Sequence, residues 1–242
     1  MSKTKIEWTD ATWNPVTGCS EVSAGCRNCY AKFMALRLQK KGLPKYRNGF
    51  DVTLHESVLE EPLKWKKPCM AFTCSMGDLF HEEVPQDFID RVMGACGTAW
   101  QHTYQILTKR PKRMAAYFNT RIDLPDNIWV GTTVEVASVK FRLNELRNID
   151  ALMRFVSFEP LLGDLGELDL SGIGWVIAGG ESGIGARPMK PEWVRSVRDQ
   201  AKAAGVPFFF KQWGAWGPDG VGRPKKANGA ELDGRTWKEM PA

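Results

Sequence analysis

The chain has no apolar run approaching the roughly 18 residues that a membrane-spanning helix requires, which argues against a helical membrane protein. Its opening residues, MSKTKIEWTD, reach polar and acidic side chains before any hydrophobic stretch of the kind that marks a secretory leader, so a cytoplasmic location is expected. Histidine is scarce, with three in 242 residues, and no further cysteine or histidine follows the main cysteine motif at zinc-finger spacing. No internal repeat and no low-complexity tract occurs. Neither does a G-x-G-x-x-G or Walker sequence, so Gly179, Gly180, Gly183 and Gly185 are weak evidence for a nucleotide site.

Hydrophobic residues make up 43% and charged residues 25% of the chain, ordinary values for a globular protein. The length suits one sizeable α/β unit. Six short β-rich apolar runs recur, at 70–75 (MAFTCS), 104–108 (YQILT), 128–134 (IWVGTTV), 153–158 (MRFVSF), 175–178 (WVIA) and 208–211 (FFFK). Between them, at 85–100, 136–146 and 192–204, apolar residues fall three or four apart among charges, the period of a helix packed on one face. Such alternation implies parallel strands with right-handed crossovers, and the segment before Cys19 is a candidate for one more strand. Polar residues gather at the ends of the six runs: Ser75, Gly77 and Asp78; Lys109; Thr132 and Glu135; Glu159; Glu181; and Lys211. In a barrel of parallel strands, ligands bind at that end. From residue 214 the chain is rich in Gly, Pro and Lys with a turn signal at Asp233-Gly234, as in a lid or a mobile terminus. Basic stretches at 37–45, 64–67, 108–113 and 223–226 read first as solvated helix ends and loops, with a phosphate-attracting rim as the sharper alternative.

The segment TGCSEVSAGCRNCYAK sets Cys19, Cys26 and Cys29 at C-x6-C-x2-C spacing. In a reducing compartment, six cysteines are thiols or metal ligands rather than disulfides. Three soft thiolates on one loop suit an iron–sulfur cluster or zinc, with His55 or His81 as a fold-dependent further ligand. Cys69 and Cys74 lie five apart in an apolar run and so face opposite sides of a strand. Cys96 reads as helix core. A cluster held by three thiolates leaves one iron open to chelate the amino and carboxylate groups of S-adenosylmethionine (SAM). Electron transfer then yields methionine and a 5′-deoxyadenosyl radical, which takes a hydrogen from substrate.

Cys19, Cys26, Cys29 and Tyr30 with TWNPVTGC resemble the signature of a phage-associated three-cysteine family of largely unassigned function, related to radical SAM enzymes. The resemblance continues in order through SMGDLF (75–80), ILTKRP (106–111), VGTTVE (130–135), SFEPLLG (157–163), GGESGIGARPM (179–189) and FFFKQWG (208–214), and so covers nearly the whole chain. The first spacing is three residues longer than the C-x3-C-x2-C of most radical SAM enzymes, a variant in which a longer loop closes the same three-thiolate site. The resemblance implies an α/β fold, a partial (β/α)6-like TIM-type barrel over 1–213 with its cluster loop at 19–29. Residues 214–242 are then a C-terminal tail or lid, and SAM lies across the C-terminal strand ends. A [4Fe–4S] cluster on Cys19, Cys26 and Cys29 is implied, with Ser75, Gly77 and Asp78 at the SAM amino group. Glu135 is expected at the ribose hydroxyls and Thr132 or Lys109 at the carboxylate. Glu159 and Glu181 either orient substrate or SAM or pair with Arg187 or Lys211 for structure. Lys211 follows three phenylalanines and would be partly desolvated unless it meets an anion, which makes it the preferred substrate or carboxylate anchor.

The leading expectation is therefore a radical SAM enzyme of isomerase or lyase type acting on a modified or damaged nucleic-acid base and fed by a reducing electron donor. Two readings stay open beside it: a non-catalytic nucleic-acid-binding protein with zinc on the three cysteines and a histidine, and a radical SAM enzyme that modifies a peptide.

Overall fold

Each of the six β-rich runs forms a strand, and every strand neighbours the next one in the chain. The computed structural model describes residues 2–120 and 124–241. Its main sheet contains β1 (Ala11–Trp13), β2 (Met70–Thr73), β3 (Thr103–Thr108), β4 (Ile128–Thr133), β5 (Met153–Phe158), β6 (Trp175–Gly179) and β7 (Phe208–Gln212). The seven pair in parallel and in sequence order. Residues Ser2–Lys3 add antiparallel to β1. When spatial order follows chain order, all right-handed crossovers run over the same face, and a twisted sheet curls into a half-barrel.

The crossovers carry α1 (Tyr30–Lys40), α2 (Gln86–Thr98), α3 (Pro111–Phe118), α4 (Phe141–Arg147) and α5 (Pro191–Ala203). Helices α2 and α5 fill the stretches the periodicity picks out. Helix α4 starts later than expected because a 3-10 turn at Ala137–Val139 takes up the first part of its stretch. Helices α1 and α3 were not expected. In α1 only Ala31 and Ala35 are buried and apolar residues also fall outside that face, which blurs its period. Helix α3 opens at Pro111, whose fixed φ suits the first helical position, inside a stretch that reads as basic surface.

Strand alternation separates two packed layers. Ile106, Val130, Val156, Ala178 and Phe208 face the helices, where they meet Phe88, Val92, Met114, Leu143 and Val194. Phe72, Phe155, Trp175, Ile177 and Phe209 face the concave side and close around Trp8. Trp8 lies 4.8 Å from Phe72 and 6.1 Å from Trp175, centroid to centroid. This aromatic plug fills the lower half of the barrel.

The stretch from Gly214 packs back on the sheet. Its Trp237 carbonyl accepts from Phe210 N–H at 2.8 Å, and Trp175 Nε1 donates to Glu239 O at 2.9 Å. Lys238 Nζ reaches Phe210 O at 2.8 Å and Glu7 Oε2 at 2.6 Å, joining the last strand's edge to the segment before the first across the open side of the half-barrel.

Gly131 leaves room for the plug, because a Cβ there would sit 2.5 Å from Phe155 Cζ. Gly131→Ala should therefore lower stability by about 1–3 kcal/mol through overpacking. Urea unfolding checks this, and Gly131→Ala/Phe155→Leu should recover part of the loss.

Candidate active site

The loop from Gly18 to Cys29 crosses the C-terminal ends of the strands with little regular structure of its own beyond a 3-10 turn at Ala24–Cys26. Side chains from the strand ends hold it. After β4, Glu135 is fully buried and receives Arg142 Nη1 at 3.0 Å from α4. The same carboxylate accepts from Gly25 N–H at 3.1 Å and from the Ser23 hydroxyl. After β6, Glu181 accepts Arg187 Nε at 2.8 Å and Asn28 Nδ2 at 3.0 Å, while Arg187 Nη2 donates to Ala24 O at 2.9 Å. Burial alone would raise the Glu181 pKa, but the bonds from Arg187 and then Asn28 outweigh it and hold the carboxyl below the usual range.

The third tie involves Cys19 itself. After β2, Asp78 accepts from Thr108 Oγ1 at 2.7 Å, Phe80 N–H at 2.9 Å and Arg110 Nη1 at 3.2 Å. Arg110 is buried, binds Glu82 through Nε at 2.8 Å and donates to Ser20 Oγ at 2.8 Å. Its Nη1 also lies 3.4 Å from Cys19 Sγ. Burial pushes the Cys19 thiol up to about 11, with the Asp78 charge adding and Arg110 opposing. The β2 turn lies close beneath the loop: at Gly77 a Cβ would meet Val16 O at 2.9 Å and Gly18 O at 3.0 Å.

A fourth charged pair makes no bond to the loop. Lys211 Nζ on β7 lies 2.9 Å from Glu159 Oε1, after β5, and Gln212 Nε2 donates to the same carboxylate at 3.3 Å. Glu159 continues the concave-side alternation of Phe155 on β5, and a Cβ at Gly179 would lie 3.3 Å from its carboxyl carbon, so the pair stands on the concave side above the aromatic plug, with Lys211 at a register irregularity of β7. Tyr30 donates its hydroxyl to Ser75 O. Its hydroxyl end is desolvated against the β2 turn, which raises its pKa with help from the nearby Cys29 and Glu159 charges, although the residue as a whole is 52% exposed.

The remaining expected residues are occupied locally. Ser75 Oγ donates to Asn14 Oδ1 at 3.1 Å. Thr132 Oγ1 donates to Thr108 O at 2.9 Å, on the helix-facing side of β4, so its hydroxyl does not face the concave side. The Lys109 N–H lies 3.4 Å from Asp78 Oδ2, and its ammonium has no ion pair among the described residues. The roles of Arg110, Arg142, Asn28 and Ser23 had no sequence signal. Arg110 stands out in ILTKRP only as part of a basic stretch, and Arg142 is seven residues from Glu135 on a different element.

All six cysteines are free. Cys96 is core, and Cys69 Sγ lies 3.5 Å from His102 Nδ1. His55 is held by Thr17 Oγ1 at 2.8 Å, and His81 uses both ring nitrogens, on Ser20 Oγ at 2.7 Å and Glu83 N–H at 3.2 Å. Among the described residues no three His, Cys, Asp or Glu side chains, Cys19, Cys26 and Cys29 included, are gathered at the spacing of a single metal ion. In number and softness of donors, three free thiols on a loop beside a buried guanidinium fit an iron–sulfur cluster.

Over residues 3–241 the chain matches a family described as "Protein of unknown function (DUF5131)". None of the curated proteins matches it. Among solved structures it is similar to a cysteine-to-serine variant of spore photoproduct lyase, with a TM-score of 0.53 and 12% identity over 83% of this chain and 63% of that one. A double variant of spore photoproduct lyase with bound AdoMet and dinucleoside spore photoproduct is similar at a TM-score of 0.47 and 10% identity, over 79% of this chain and 60% of that one. The chain thus spans less than two thirds of the length of these structures. At such identity the likeness is one of fold, a partial TIM-type barrel.

Arg142→Met strands the Glu135 charge in a buried position and should cost about 3–5 kcal/mol in chemical denaturation, with Arg142→Met/Glu135→Gln recovering part of it. Glu181 should contribute stability above its unfolded pKa of about 4.3 that is lost as pH falls through its lower native value. Glu181→Gln should therefore flatten the acid side of a melting-temperature profile.

Proposed function

The chain belongs to the protein family of unknown function DUF5131, and from that premise we propose that it is a radical SAM enzyme of isomerase or lyase type acting on a modified or damaged nucleic-acid base. One observation carries the reading: a loop with three free cysteines lies across the ligand-binding ends of a parallel half-barrel, tied to the ends of β2, β4 and β6. Cys19, Cys26 and Cys29 would hold a [4Fe–4S] cluster. Bound together, cluster and SAM would supply a 5′-deoxyadenosyl radical able to abstract hydrogen from an unactivated carbon.

The protein's own side chains hold, orient and exclude water. Arg110 places a positive charge beside Cys19, which favours the thiolate needed for metal binding. Lys109 is assigned to the SAM carboxylate because its ammonium has no ion pair among the described residues. The turn at Ser75, Gly77 and Asp78 is assigned to the amino group. Glu135 and Thr132, whose side chains are engaged within the protein, act by fixing the loop and β4. Glu181 fixes the loop from β6. Lys211 and Glu159 form a polar floor for the substrate, and the plug beneath them keeps water out from below. The nucleic-acid base is favoured as substrate by the lesion named in spore photoproduct lyase and by the basic stretches of the chain. The reductant is an electron donor outside the chain.

Anaerobic reconstitution with iron and sulfide, followed by dithionite and SAM, should give a brown chromophore and 5′-deoxyadenosine. Cys19→Ala, Cys26→Ala or Cys29→Ala should abolish both, while Cys96→Ala keeps both. One zinc per chain with no acid-labile sulfide would replace this reading with the metal-binding alternative.

A further inference from the structure

Charge is distributed unevenly around the cysteine loop. Residues 22–50 contain seven lysines and arginines and not one Asp or Glu. A segment charge of +7 inside a chain of +5 leaves the rest at −2, so the basic character of the protein resides in this segment. Surface lysines and arginines usually find carboxylates near them. Here Lys32 pairs with Glu21 at 3.2 Å, and among the described residues Arg37, Lys40, Lys41 and Lys45 have no ion pair.

The same segment exposes apolar surface. Helix α1 buries Ala31 and Ala35, yet Tyr30, Phe33 and Met34 remain 52%, 46% and 42% exposed. Positions 30, 33, 34, 37 and 41 follow the three-and-four spacing of one helix face. That face is aromatic and thioether next to Cys29 and becomes cationic towards its far end, at Arg37 and Lys41. Eleven helical residues give it a length of about 16 Å, room for a few nucleotides.

We propose that this face of α1, with the following loop to Arg47, is the docking surface for a nucleic-acid strand. Cations without carboxylate partners attract the phosphodiester backbone and release its counterions. Exposed rings interleaved with cations offer bases a stacking platform that a purely electrostatic surface lacks. The order of residues along the helix gives the strand a direction: phosphates sit at Arg37, Lys40 and Lys41, and the base stacked at Phe33 and Tyr30 lies next to the barrel mouth. The proposal rests on the nucleic-acid reading of the substrate given above and names the surface that delivers it.

Fluorescence anisotropy with labelled single-stranded and duplex DNA and RNA, from about 50 to about 200 mM salt, tests it. The wild-type chain should bind. Arg37→Glu/Lys40→Glu/Lys41→Glu should weaken binding at least about 10-fold and flatten the salt dependence by about two to three units of slope. Phe33→Ala should weaken binding without changing that slope, and Lys202→Glu, on α5 and outside the basic stretches, should leave binding as it was. The triple Gln variant and circular dichroism separate loss of charge from loss of fold. A folded triple variant that binds as the wild type does would overturn the surface and leave the proposed activity standing. A wild-type chain that binds neither DNA nor RNA would overturn both the surface and the nucleic-acid substrate. Unchanged nucleic-acid binding with lost binding of an acidic protein reductant would assign the face to that partner and likewise overturn the proposal.

Discussion

The buried carboxylate of Glu135 is the constraint on which the site depends. A charge removed from water is costly unless its partners satisfy it almost completely. Arg142 supplies one, and the rest come from the cysteine loop itself, through Gly25 N–H and the Ser23 hydroxyl. The loop is therefore part of the carboxylate's solvation, and the β4–α4 unit cannot reach its low-energy state unless the loop is in place. The arrangement recurs on alternate strands. Asp78 with Arg110 after β2 and Glu181 with Arg187 after β6 are each an acid and an arginine that also reach the loop, at Cys19 and Ser20 in one case and at Ala24 and Asn28 in the other. Three such anchors from three directions fix an irregular segment that has little core of its own.

The remaining strands do something different. Glu159 and Lys211, after β5 and on β7, neutralise each other without a hydrogen bond to the loop, and they stand above a layer built mainly of aromatic and aliphatic side chains, in which the buried Gln105 donates to Trp8 O at 3.2 Å. Below them the interior is packed, with Gly131 omitting a side chain so that Phe155 fits. Above them lies the mouth. The lower barrel thus serves stability, and the polar pair marks where the apolar packing stops, at the end of the barrel where ligands bind in such folds. The C-terminal stretch completes this division, since Glu239 and Lys238 tie the plug and both sheet edges together.

Much of the fold was legible because its signals are local. Alternating apolar residues in MRFVSF mark β5 to the residue, and the period of 192–204 marks α5 within one position. Helix α1 escaped because its exposed face is as apolar as its buried one, which removes the contrast that periodicity needs. Within the site, the cysteines could be read from spacing and the acids from their place at strand ends, whereas the arginines could not. Arg142 reaches back from the helix after Glu135, Arg110 reaches across from β3 to β2, and Asn28 bridges 153 residues to Glu181. Such pairings depend on which strand ends adjoin in the closed sheet. The glycines of GGES likewise suggested a cradle, but a Cβ at Gly180 would lie 1.9 Å from Trp213 O, so close crossing of two backbones explains that glycine without a ligand.

Arg110 shows how one side chain reconciles stability with chemistry. A planar guanidinium presents donors in several directions at once, and here they reach Asp78, Glu82 and Ser20, which a lysine's single ammonium could not span. Those contacts hold the guanidinium in a buried position before any metal arrives, so its approach to Cys19 Sγ requires no further ordering. Burial is the main reason the Cys19 thiol is pushed up to about 11, with the Asp78 charge adding to it and Arg110 only partly opposing. On the proposed reading, a metal bound at Cys19 would displace that proton, with the metal's own positive charge supplying the driving force. A loop held by ion pairs and hydrogen bonds from three strand ends is set in place by the protein's own contacts, so on the proposed reading its three cysteines need no metal to bring them to the barrel mouth.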